Sequence, residues 1–158
     1  MDEQVLINEH WYYLPSYYWL TSVLGVRVDR LLQARGKVAV PVALMRRILM
    51  SLAETAPFDE AFYLATYEDV RVAYEAGGIT DLRRHFVEAG YFEGRLGSAP
   101  EVDDVFYART YPDVEAAIKQ KVVSGGREHY MRSGAFEGRA PNGAARKEIE
   151  EWHQAATG

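Results

Sequence analysis

Few side chains in this sequence have the type and spacing that chemistry needs. Histidine occurs at His10, His85, His129 and His153, and cysteine is absent. Without thiols there are no disulfides, no thiolate nucleophile and no cysteine-held zinc or iron–sulfur centre. His85 and His129 each precede an aromatic residue, Phe86 or Tyr130, and each can offer one imidazole to a metal. No second His, Asp or Glu stands at a helical ligand spacing beside both, so they read as structural histidines and no metal site is expected. Two Glu-Gly-Arg triplets, ending in Arg95 and Arg139, present a guanidinium fork suited to a carboxylate or phosphate. The same arginines can instead pair internally with Asp69 and Asp113, and recurrence in two places favours that pairing. The sequence lacks a Gly-x-Ser-x-Gly elbow, a phosphate-cradling loop, a Gly-x-Gly-x-x-Gly turn and a His-Glu-x-x-His helix. No catalytic residue and no cofactor is expected.

The paired occurrence of these groups reflects an internal repeat. Residues 58–95 and 102–139 align without a gap at an offset of 44, and 15 of the 38 pairs are identical. The identical or matched positions include Phe62/Phe106, Tyr67/Tyr111, Asp69/Asp113, His85/His129, Gly90/Gly134 and Arg95/Arg139. Each copy reads as three short helices. Asp59 or Asp103 caps the first. The second opens at Tyr-Glu-Asp-Val or Tyr-Pro-Asp-Val, where Pro112 suits a first helical position. Val70, Ala73 and Tyr74, and likewise Val114, Ala117 and Ile118, fall on one face of it. The third carries the histidine, and Gly90 or Gly134 is expected to close it in the left-handed conformation.

The pattern Phe-Asp-x-x-Phe-Tyr-Leu-x-x-Tyr-x-Asp-Val, followed by His-Phe or His-Tyr and Gly-x-x-Glu-Gly-Arg, resembles a tandem helical repeat of bacterial proteins. That repeat often accompanies glycosyltransferases and surface-polysaccharide proteins. The resemblance covers residues 58–139, with Glu68 where proline is usual and a longer link at Leu96–Glu101. It implies an accessory role in exopolysaccharide or surface-glycan synthesis, with a glycosyltransferase or polysaccharide synthase component as partner.

Residues 1–56 have a different texture. Six of the nine residues from Trp11 to Trp19 are aromatic, and Arg27, Arg30, Arg35, Lys37, Arg46 and Arg47 face a single acid, Asp29, across residues 27–47. Helices are expected from Ser22 to about Arg35 and from Val42 to Glu54, the latter with Leu44, Ile48 and Leu52 at steps of four. Trp11, Tyr17, Trp19, Arg27, Arg30 and Arg46 are the candidate partner-binding residues, because Trp, Tyr and Arg dominate interface hot spots. Four uses stay open: a cap that completes the repeat core, a docking or self-association surface, contact with an anionic membrane face, or a small DNA-binding unit.

The remaining features set the frame. A chain of 158 residues with 48% hydrophobic and 26% charged residues is ordinary globular material. Its net charge of −5 argues against general nucleic-acid binding. The uncharged run Trp11–Val26 contains Pro15 and Gly25 and falls short of the roughly 20 apolar residues a spanning helix needs. The acidic start Met1-Asp2-Glu3-Gln4 does not read as a secretory leader, so a cytoplasmic location, at or near the inner membrane face, is expected. The expectation is a single all-α domain of two tandem three-helix repeats with an aromatic-rich helical N-terminal cap. Its parts are a cap at 1–56, repeats at 57–100 and 101–141, and a polar tail at 142–158. Its expected function is a non-enzymatic adaptor or regulator, with a DNA-binding regulator or a glycan-binding module as the alternatives.

Overall fold

A computed structural model describes residues 14–34 and 36–157. Among these residues the fold is all-helical. The chain divides into two compact units, Met1–Pro41 and Val42–Gly158.

In the first unit, α1 (Tyr17–Val23) starts where Ser16 Oγ accepts from Trp19 N at 3.2 Å, and α2 spans Val28–Leu32. The expected single helix from Ser22 to Arg35 is therefore broken. Gly25 takes φ 63°, and Gly25 N and Val26 N donate back to Ser22 O and Thr21 O. That closure ends α1 and turns the chain before α2 can begin.

The second unit opens with α3 (Val42–Thr55), which contributes Ala53 and Met50 to the core of the first repeat. Arg46 donates to Glu88 O at 2.6 Å and lies over the Phe92 ring at 4.2 Å. Arg83 ties the end of α3 from the other side, donating to Glu54 O and to Ala56 O. Ile48 and Leu52, two of the residues at steps of four, remain exposed, because α3 turns the Ala53–Met50 side inward.

The first repeat contains α4 (Glu60–Thr66), α5 (Glu68–Glu75) and α6 (Leu82–His85), the last running into a π-helical turn, π1 (Phe86–Gly90). The second contains α7 (Asp104–Thr110), α8 (Pro112–Lys119), α9 (Gly126–His129) and π2 (Tyr130–Gly134). The elements match one for one. Each repeat closes on itself through one backbone bond: Asp59 N donates to Gly97 O at 2.9 Å, and Asp103 N to Pro141 O at 3.1 Å. Asp59 and Asp103 cap α4 and α7 through Phe62 N and Phe106 N.

The copies differ where their sequences differ. Asp81 caps α6 through Arg84 N, whereas α9 has glycine there and Asp104 of α7 accepts from Gly126 N at 2.6 Å instead. Gly77, at φ 77°, ends α5; its counterpart Lys121 is held in the same left-handed conformation at φ 59°. The last helix among the described residues is α10 (Gly143–Thr157), whose residues are all at least partly exposed. No helix among the described residues is long and apolar enough to cross a membrane.

Candidate functional site

At the centre of each repeat lies a knot of three residues drawn from distant positions. Tyr63 is fully buried on α4, and its Oη lies 3.1 Å from His85 Nδ1. Tyr107 and His129 repeat the arrangement at 3.2 Å. Burial pushes both phenols up to about 12, since the phenolate would lose its solvation in the core. The histidine partner is thus an aromatic residue 22 positions away, not the neighbour in sequence.

Gly90 and Gly134 complete the knot. Neither takes a positive φ, which corrects the expected left-handed cap. They serve by close approach: a Cβ at Gly90 would overlap the Tyr63 hydroxyl, and one at Gly134 the Tyr107 hydroxyl. The left-handed residues come four positions later, at Gly94 (φ 77°) and Gly138 (φ 63°). There Gly94 N donates to Tyr91 O and Arg95 N to Gly90 O, the paired closure that ends a helix at an αL residue, and Gly138 and Arg139 do the same.

That turn aims the arginine inward. Arg95 grips Asp69 with both terminal nitrogens at 2.8 and 2.7 Å, donates from Nε to Glu93 at 2.8 Å and lies 5.0 Å from the Tyr67 ring centre. Arg139 makes the same fork to Asp113 at 3.0 and 2.8 Å and lies over Tyr111. Tyr67 and Tyr111 accept from the next backbone N–H, that of Leu96 and of Ala140, each at 2.7 Å. The internal pairing read from the sequence is the observed one, so these guanidinium groups are not free to read an anion.

The clamp carries a pH signature. Hydrogen bonding from Arg95 holds Asp69 down at about 2 against an ordinary 3.8, and Arg139 likewise lowers Asp113. The folded chain therefore binds these protons less readily than the unfolded chain does. For Asp69 the contribution is complete above about pH 4 and is lost as pH falls through about 2. Urea midpoints measured across that window are expected to fall with pH, and Asp69→Asn is expected to flatten the fall. An Asp69→Asn chain with the unaltered slope would refute the assignment.

Between the repeats runs an open groove of about 430 Å³, lined by Tyr67, Glu93, Gly94 and Arg95 from one copy and by Met131 and Phe136 from the other. Phe136 remains 64% exposed there. Among the described residues no three His, Asp or Glu side chains converge as a metal site would require.

The candidate binding residues of the N-terminal region scatter. Trp11 lies outside the described residues. In the first unit, Tyr17 donates its hydroxyl to Val28 O, Arg27 pairs with Asp29 at 3.1 Å, and Arg30 is exposed. Trp19 is half-exposed beside an exposed Tyr18. Arg46 belongs to the second unit and is engaged with Glu88 and Phe92, so the basic run of residues 27–47 is divided between the two units. An apolar surface outside the candidate binding residues lies on α3, where Met45 and Ile48 are 41% and Leu52 47% exposed. Their spacing of three and four residues puts all three on one side of the helix. No protein-family model, curated protein or solved structure matches this chain.

Proposed function

We propose that this chain is a non-enzymatic adaptor that holds another protein to a bacterial surface-polysaccharide machine. The observation that carries the binding role is the free side of α3. Met45, Ile48 and Leu52 form an exposed apolar stripe on a helix whose other side is fastened to the first repeat by Ala53 and Arg46. A contiguous apolar surface on a fixed scaffold is suited to a partner that offers an apolar groove or helix face. The residues with the most chemical character support this reading by their employment elsewhere. The buried tyrosines and histidines bind each other, and the recurring arginines bind aspartates of their own repeat. The polysaccharide setting rests on the resemblance of residues 58–139, and a place at the inner membrane face rests on the aromatic and basic residues before Val42.

The test is a paired substitution in the full chain, Met45→Glu with Ile48→Glu. Helical content and unfolding midpoint are expected to stay near those of the parent, because neither side chain enters the core. Co-purification of a glycosyltransferase or polysaccharide synthase component from the native host is expected to fall at least tenfold. A component retained in full by the double variant would remove the basis for the proposal.

A further inference from the structure

Successive modules of the second unit meet through one recurring contact, an aromatic ring laid on a bare glycine. Phe136 of the second repeat rests on Gly94 of the first, where a Cβ would overlap the ring. One repeat length later, Gly138 has the same left-handed backbone in the same Glu-Gly-Arg turn. A ring lies there too, but it is the imidazole of His153, with Nε2 2.8 Å from where a Cβ would be. His153 comes from α10, which is no part of either repeat.

α10 is joined to the second repeat at its start, where Asn142 Nδ2 donates to Glu101 O at 2.7 Å and Gly143 approaches the Phe106 ring; Asn142 Oδ1 caps the helix, accepting from Ala145 N at 2.9 Å. No residue of the helix is buried, and Trp152 is 62% exposed. At the opposite edge Phe92, the counterpart of Phe136, has the Arg46 guanidinium of α3 over its ring. Residues from outside the repeat thus cover both edges of the array.

We infer that the Gly138 face of the second repeat is a stacking surface for a further repeat of the same kind, and that α10 is a displaceable end cap whose His153 fills the seat of that repeat's phenylalanine. The occupant that fits is defined by the chain itself, since Phe136 on Gly94 already displays the complementary pair. A cap of this type is what an array of stacked repeats requires, because each repeat buries its faces only against neighbours. The inference stands whether or not α3 binds a partner.

Two changes test it. In the first, a second copy of residues 98–141 is inserted directly after Pro141, so that the new phenylalanine meets Gly138 and α10 moves to the new end. This longer chain is expected to be monomeric, to gain helical signal, and to unfold in one transition at a higher temperature. In the second, His153→Phe in the unaltered chain is expected to raise the midpoint by about 2–4 °C, the shift that a modest gain produces in a chain of this size. Loss of cooperative folding in the longer chain, or an unchanged or lower midpoint for His153→Phe, overturns the inference.

Discussion

Tyr63→Ala and Tyr107→Ala are each expected to remove about 3–5 kcal/mol of stability, the range for truncating a large buried ring. Tyr63 is fully buried, with Phe58, Tyr67 and Phe86 at centroid distances of 5.3, 5.0 and 5.9 Å. Truncation takes away those ring contacts, leaves a cavity and orphans His85 Nδ1. Tyr63→Phe keeps the ring and loses only the hydroxyl bond, so about 1–2 kcal/mol is expected. Urea unfolding with a common slope separates the two. A cost below about 1 kcal/mol for either alanine variant would mean that the tyrosine is not central to its repeat.

Gly90→Ala and Gly134→Ala are the second pair, each expected to cost about 3 kcal/mol, the upper end of the range for overfilling a packed core. The added methyl meets a hydroxyl that cannot retreat, since its position is set by the histidine on one side and by a fully buried ring on the other. The diagnostic is the double-mutant cycle. In a Tyr63→Phe background the obstructing oxygen is gone, and Gly90→Ala is expected to cost at least 1 kcal/mol less than in the parent. Strict additivity would show that the glycine is required for some reason other than the close approach of Tyr63.

The arginine clamp was legible because both of its partners recur at the same offset, and a residue kept in two copies of one fold is most simply a fold residue. The tyrosine–histidine bond was not legible. The two residues lie on different helices, 22 positions apart, and nothing in their local patterns distinguishes one exposed to solvent from one aimed at the core. Gly90 illustrates a different blindness. Glycine marks either a left-handed backbone or a close approach, and only the positions of Tyr63 Oη and of Gly94 decide which. On α3, steps of four locate a stripe, but the neighbours decide whether it is covered. Lys121 shows tertiary context prevailing over preference, since the α8 exit adopts the geometry of the α5 exit without its glycine.

The hydrogen bonds that close each repeat have a kinetic corollary. Among the described residues none joins positions more than 42 apart, the longest being Arg46 to Glu88, and the closing backbone bond of each repeat spans only 38. Chains with such short-range wiring search little conformational space before native contacts begin to reward them. The first repeat can therefore close its own hydrogen bonds once the chain as far as Gly97 is free to fold, without waiting for the second repeat to form.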